Sequence, residues 1–319
     1  MKTVLITLPV DKDDKEFLMK MVDGSNEEYR LIYRDKQSLD LKTANSADAI
    51  IGMIDPAVLC RLKCLEWLQL AWAGAEQYLK PGVLSENTIL TNASGAYGVT
   101  VAEHMMALTL ALNCNLKQYI DQQKKHKWKR CDNRQVLSGS RILVVGMGDI
   151  GRNYAMRMKV LGAHVIGISR TKKENQFFFD EQYEIGEMDE VIDQADVVAI
   201  SLPGGSNTYH LFGEEQIRRM KKNAVLINAG RGSTIDTPAL VRALKNKEIR
   251  GAGLDVFEEE PLQDSELWEM DNVIITPHIA GKLEEEYNRR QVVKICADNL
   301  YRYTHGLDLI HIVDRALGY

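Results

Sequence analysis

Short apolar runs alternate with polar, helix-capable stretches from one end of this chain to the other. In the first third, residues 4–8, 29–33, 49–54 and 66–71 read as strands separated by polar segments of helical character. A long apolar stretch follows, 98–112, greasy on most faces and broken only by Glu103 and His104, which predicts a buried helix between two lobes. The second lobe opens at Arg141-Ile-Leu-Val-Val and keeps the same rhythm through runs at 165–169, 197–202, 225–228, 251–255 and 273–276. Strand and helix in strict alternation predict parallel sheets of the α/β class. A last helical pattern spans about 283–303, and the early strands lack enough apolar cover of their own. The expected organisation is therefore a discontinuous first domain, 1–97 plus 284–319, around a second domain, 98–283. No fixed-period repeat or low-complexity tract interrupts it.

Composition changes this picture little. The chain has 319 residues, 45% apolar and 27% charged, with a formal net charge of −5, the balance of a soluble globular protein. That charge favours neither nucleic acid nor an anionic membrane as a partner. The basic stretch 122–134 holds a single aromatic, Trp128, and reads as a solvated or subunit-facing segment. The N-terminal apolar run is too short for a signal peptide, and 99–112 is too short to span a bilayer. Five cysteines without a CxxC pair argue against a metal site and for free thiols in the cytoplasm.

Candidate chemistry begins at Gly146-Met-Gly148-Asp149-Ile150-Gly151, directly after one strand and before a helical pattern. In that context the glycines are a dinucleotide turn. The first permits the bend, the second lets a pyrophosphate approach the backbone, and the third lets helix and strand pack closely. The next strand ends in Ser169-Arg170-Thr171-Lys172-Lys173, where an acid would bind a ribose 2′-hydroxyl and repel a 2′-phosphate. A hydroxyl, a guanidinium and two lysines suit a phosphate instead, so NADP(H) is the preferred cofactor and NAD(H) a possible one.

Three further segments each put a titratable or charged group at a strand end. They are Asn228-Ala229-Gly230-Arg231-Gly232, Gly253-Leu-Asp255-Val-Phe-Glu-Glu-Glu260-Pro261 and Thr276-Pro-His278-Ile-Ala-Gly281. With the glycine turn, Val101-Ala-Glu103, Leu202-Pro203 and the closing Asn299-Leu300 to Gly318-Tyr319, they resemble the D-isomer-specific 2-hydroxyacid dehydrogenase family over nearly the whole chain. The resemblance implies two Rossmann-like doubly wound domains, one flavodoxin-like and one dinucleotide-binding, with the active site in the cleft between them.

Carried over by position, it implies His278 as proton donor and acceptor, Glu260 as its partner, and Arg231 as the group holding the substrate carboxylate and carbonyl. The chemistry is coherent, since ketone reduction needs a proton at oxygen as hydride reaches carbon. Asp255 would take the nicotinamide carboxamide. Further cofactor contacts are implied for Thr100, Leu202, Pro203, Thr208, Asn228, Ala229, His278 and Gly281. Ala73, Gly74 and Ala75, after Trp72, match a loop whose backbone grips the substrate carboxylate.

Phosphoglycerate-type members carry an arginine where this chain reads Gly52-Met53-Ile54-Asp55-Pro56. A small unphosphorylated acid, glyoxylate- or hydroxypyruvate-like, is the expected substrate, and the Ser-Arg-Thr turn is similar to that of NADP-linked reductases of those acids. Two alternatives stand beside it: an NAD-dependent phosphoglycerate-type dehydrogenase and a non-catalytic dinucleotide-sensing protein. A homodimer is implied through the long helix and the Trp128 segment.

Overall fold

A computed structural model describes every residue except 26, 36–38, 172–176 and 319. The chain divides into two compact units, Met1–Ala96 with Lys282–Tyr319, and Tyr97–Gly281.

The first unit carries five parallel strands, β1 (Lys2–Ile6), β2 (Tyr29–Tyr33), β3 (Ala49–Gly52), β4 (Trp67–Leu70) and β5 (Ile89–Thr91), in the order β2-β1-β3-β4-β5. Helices α1 (Lys12–Lys20), α2 (Leu41–Asn45) and α3 (Pro56–Leu59) connect the early strands, each started by an aspartate that accepts a backbone N–H: Asp11, Asp40 and Asp55. Strand β3 stops short of the expected end. Gly52 turns at φ +124°, and a Cβ there would stand 2.7 Å from the Thr7 hydroxyl. That backbone conformation and the close approach both need glycine.

The C-terminal helix α9 (Glu286–Thr304) belongs to this unit. Arg289 pairs with Asp11 and Asp14 of the α1 cap. Asn299 donates to Gln69 Oε1 at 2.7 Å and brackets the Ile310 backbone on both sides, at 2.9 and 2.8 Å.

The second unit holds seven parallel strands, β6 (Arg141–Val145), β7 (His164–Ser169), β8 (Glu181–Glu184), β9 (Val197–Ile200), β10 (Val225–Asn228), β11 (Gly251–Leu254) and β12 (Val273–Ile275), ordered β12-β11-β10-β9-β6-β7-β8. The order reverses between β6 and β9, the switch point at which doubly wound sheets bind ligands beyond their C-terminal strand ends. Both faces of the sheet are covered. One core cluster includes Ile166, Val198, Leu226 and Leu240, and the other includes Val144, Tyr154, Ala199 and Ile227.

Helix α4 (Gly98–Asn113) supplies Val101, Ala102, Met105 and Leu108 to the second cluster beside α6 (Asp149–Val160). Helix α5 (Leu116–Lys124) follows it, and α7 (Glu214–Arg219) and α8 (Thr237–Lys245) serve the other face.

Strands β5 and β8 escape a reading by apolar pattern. Each lies at a sheet edge, β5 is three residues long, and β8 reads Glu-Gln-Tyr-Glu. What pins β8 is charge: Glu181 receives Arg141 at 2.8 Å and His164 at 2.6 Å.

Candidate active site

The glycine turn joins β6 to α6 at the switch point. Gly146 sits at φ +109°, donates its N–H to Ile168 at 2.9 Å and receives the Ser201 hydroxyl at 3.0 Å. A Cβ on Gly151 would lie 1.8 Å from the Gly146 carbonyl oxygen, so helix and turn touch backbone to backbone. Gly148 differs. It is the N-cap of α6 with no side-chain cap, and among the described residues no atom beyond its chain neighbours lies within 4 Å of where its Cβ would stand. Open space over uncapped N–H groups at a helix start fits a pyrophosphate. Asp149 accepts Asn153 at 3.0 Å and lies against the Gly98 backbone, and Ile150 packs inward.

Ser169 ends β7 buried, donating to the Thr171 carbonyl at 2.8 Å, while Arg170 and Thr171 are exposed. The turn therefore carries a guanidinium and no acid; Lys172 and Lys173, predicted to support it, lie outside the described residues. Thr208 donates to Pro203 and Gly205, and Thr100 to Tyr97 within α4. Asn228 is fully buried and braces its own turn, donating to Arg231 O at 2.9 Å and accepting Gly230 N at 3.0 Å. Ala229 is buried beside it, and Leu202 lies against Gly230, where a Cβ would be 2.6 Å from the Leu202 carbonyl oxygen.

Arg231, Glu260 and His278 come together at the C-terminal ends of β10, β11 and β12. The His278 Nδ1 lies 2.7 Å from Glu260 Oε2, and Glu260 Oε1 accepts the Phe257 N–H at 2.9 Å. A carboxylate only accepts, so the Nδ1 carries the proton and the opposite ring nitrogen is the one that exchanges. The hydrogen bond to Glu260 raises the His278 pKa above its ordinary value, and Asp255 adds to it, against burial and the Arg231 charge. Burial alone would raise the Glu260 carboxyl; the His278 bond, the Phe257 amide and the charges of His278 and Arg231 hold it below its ordinary value. A pocket of about 410 Å³, walled by Phe257, Leu262, Trp268 and Ile275, adjoins the pair.

Arg231 follows β10, with one of its N–H groups on the Gly230 carbonyl at 2.9 Å. The glycine after it is demanded by contact: a Cβ on Gly232 would stand 1.8 Å from the Phe257 carbonyl carbon, so the Arg231 turn and the Glu260 loop touch directly. Asp255 is 1% exposed. Its carboxylate accepts the Thr276 hydroxyl at 2.6 Å and the amides of Ile279 and Ala280 at 3.0 Å each, and its carbonyl accepts the His278 N–H at 2.8 Å. This aspartate builds the turn that holds His278 at φ +50°. Gly281 closes the turn against Tyr97 and Val101. His104 of α4 also reaches this turn, with Nε2 2.9 Å from the Thr276 hydroxyl, a contact the sequence reading missed. Its signal was a polar residue interrupting an apolar helix.

In the first unit, Ala73, Gly74 and Ala75 form the turn after β4, held where Asn92 donates to Ala73 O at 2.8 Å and Ala93 to Trp72 O at 3.0 Å. The amides of Ala73 and Gly74 meet no acceptor among the described residues. No group of three metal-ligating side chains occurs among the described residues, and no helix among them is long and apolar enough to cross a membrane.

Residues 106–280 match the D-isomer specific 2-hydroxyacid dehydrogenase, NAD binding domain, profile. The chain belongs to this family. Its members are oxidoreductases acting on CH–OH groups.

A glyoxylate reductase of Thermococcus litoralis is 34% identical over 229 residues, 68% of this chain and 67% of that one. A D-3-phosphoglycerate dehydrogenase of Methanocaldococcus jannaschii is 32% identical over 291 residues, 89% of this chain and 54% of that one. The alignments thus span between about half and two thirds of those relatives' length. A crystal structure of a D-isomer specific 2-hydroxyacid dehydrogenase family protein from Aeromonas salmonicida subsp. salmonicida A449 superposes with TM-score 0.83 at 31% identity, covering 98% of this chain and 99% of that one. Both the family assignment and the two parallel-sheet α/β units agree with the sequence-based expectation.

Proposed function

We propose that this dehydrogenase reduces a small unphosphorylated 2-oxo acid, glyoxylate- or hydroxypyruvate-like, to the D-2-hydroxy acid, preferring NADPH to NADH. The observation that carries the reading is the 2.7 Å His278–Glu260 pair with Arg231 beside it. Residues 146–151 and the Ser169-Arg170-Thr171 turn are the groups that would hold the dinucleotide, which when bound supplies the hydride. Glu260 keeps His278 protonated and fixes its ring, leaving the outer nitrogen to donate to the carbonyl oxygen. The Arg231 guanidinium binds the carboxylate and stabilises charge arising on that oxygen. Residues 73–75 are assigned to the substrate carboxylate as a backbone loop of the first unit.

Asp55, capping α3, stands where an arginine would receive a substrate phosphate, which supports an unphosphorylated acid. The identity to a phosphoglycerate dehydrogenase favours the second reading, oxidation of 3-phosphoglycerate with NAD.

A panel of 2-oxo acids and 3-phosphoglycerate assayed with both cofactors tests these claims. Turnover of glyoxylate or hydroxypyruvate with a much lower KM for NADPH is expected, with the preference erased by Ser169→Asp combined with Arg170→Ala. Activity confined to 3-phosphoglycerate establishes the second reading, and tight NADPH binding without turnover of any acid defeats both. Arg231→Ala and His278→Ala each reduce turnover by orders of magnitude.

A homodimer is proposed as well, covering Leu116, Tyr119, Ile120 and Trp128, large side chains exposed on α5 and the segment after it. A monomeric mass at micromolar concentration contradicts it. The five free cysteines accord with a reducing cytoplasm, the proposed location.

A further inference from the structure

His104 is a titratable side chain that the proposed reaction does not use, yet it points at the turn the reaction depends on. It lies on the second turn of α4, 21% exposed by side chain, with Nε2 2.9 Å from Thr276 Oγ1 and 3.6 Å from Asp255 Oδ1. Thr276 is 2.6 Å from the same carboxylate oxygen.

The protons in this chain of contacts have one consistent arrangement. Asp255 can only accept, so the Thr276 hydroxyl donates to it. The threonine oxygen is then an acceptor, and the group facing it must be a donor. That makes the His104 nitrogen at this end an N–H, whether the ring is neutral or charged. The relay runs His104 Nε2–H to Thr276 O–H to Asp255, and from the same carboxylate to the amides of Ile279 and Ala280. Those amides immediately follow His278, whose own N–H is on the Asp255 carbonyl at 2.8 Å.

We infer that His104 is a positioning residue: as an obligatory Nε2–H donor it orients Thr276 and Asp255, and through them the turn that aims the His278 ring. The inference deepens the proposed function and rests on it for its activity arm. Without the donor, the threonine hydroxyl is free to rotate off Asp255, and the carboxylate loses one of its three hydrogen bonds. A loosened turn lets the imidazole wander from its position near the carbonyl oxygen, where errors of about 1 Å cost on the order of a hundredfold in rate.

The test uses the full-length protein and two substitutions of different chemistry. His104→Leu fills the space without a donor. His104→Gln retains an N–H close to the Nε2 position. His104→Leu is expected to lower kcat for the 2-oxo acid about tenfold with KM for acid and NADPH changed less than about twofold, and His104→Gln to restore most of it. Thr276→Val removes the middle of the relay. It should reproduce the His104→Leu loss, and the double variant should lose no more than either single one, because residues acting as one unit are not additive.

A second arm is independent of turnover. In the protein labelled with 15N in its histidine rings, the resonance lost in His104→Gln is expected to show a proton on Nε2 above and below neutrality. Equal kcat in the leucine and glutamine variants, additive losses in the double variant, or a neutral His104 protonated on Nδ1 alone would each overturn the inference. Should no 2-oxo acid be turned over at all, the proposed function fails and the tautomer measurement alone decides this one.

Discussion

Two glycines of the same turn provide a sharp separation of ligand binding from stability. Gly148 has φ −77°, a value any L-residue adopts, and among the described residues no atom beyond its chain neighbours within 4 Å of its Cβ position. Gly148→Ala therefore adds a methyl to empty space. The folded protein is not strained, and the loss of unfolded-chain freedom stabilises it by about 0.4–1 kcal/mol. In a chain of this size that is a rise in Tm of roughly 0.5–1.5 °C.

The proposed cofactor changes the account, because the methyl would occupy the space through which its pyrophosphate would reach the uncapped amides of α6. A loss of about 2 kcal/mol, near that of one or two charge-assisted hydrogen bonds, weakens binding by roughly 30-fold. Gly151→Ala is the opposite case. Its Cβ would lie 1.8 Å from the Gly146 carbonyl oxygen, and opening that contact to van der Waals distance costs about 1–3 kcal/mol or more with no ligand present.

Thermal unfolding of both apo proteins and NADPH titration by calorimetry or nicotinamide fluorescence measure the two effects. Unchanged NADPH affinity in Gly148→Ala, with its stability intact, refutes the placement of the pyrophosphate on this turn.

Three other outcomes follow from the geometry. The hydrogen bond to Glu260 raises the His278 pKa, and the proposed reduction requires His278 to be protonated. In Glu260→Gln the plot of log kcat/KM against pH must therefore fall off at lower pH than in the parent; a limb that stays in place or moves up refutes the pairing. Gly232→Ala drives the Arg231 turn off Phe257, where the Cβ would be 1.8 Å from the carbonyl carbon. It should cost about 2 kcal/mol in urea unfolding and about 100-fold in kcat/KM. Asn299→Leu strands the Ile310 N–H and C=O and removes the donor to Gln69. About 2–3 kcal/mol of stability should be lost, and a change below about half a kcal/mol would show that this network does not hold the C-terminal segment.

Much of this molecule is written locally in its chain. The apolar runs that became β4, β6, β7, β9 and β10 are strands buried in sheets, and hydrophobic patterning needs no knowledge of neighbours to mark them. The glycine turn is equally local, because Gly146 at positive φ and Gly151 against a carbonyl answer to backbone sterics within six residues. Arg231, Glu260 and His278 were legible as motifs, each a charged group at a strand end. Nothing local marked β8, whose Glu181 takes its place by meeting Arg141 from β6 and His164 from β7.

Asp255 is the clearest case of a residue whose use the tertiary structure decided. The sequence places it just after β11, and the family resemblance implies a bond to the nicotinamide carboxamide; only the fold shows that its carboxylate also accepts from Thr276, Ile279 and Ala280 and so frames the His278 turn. His104 depends on tertiary structure even more, since 172 positions separate it from Thr276. Patterning records which residues must leave water. It carries no information on which polar groups, brought in by different strands and helices, will satisfy one another once they have left it.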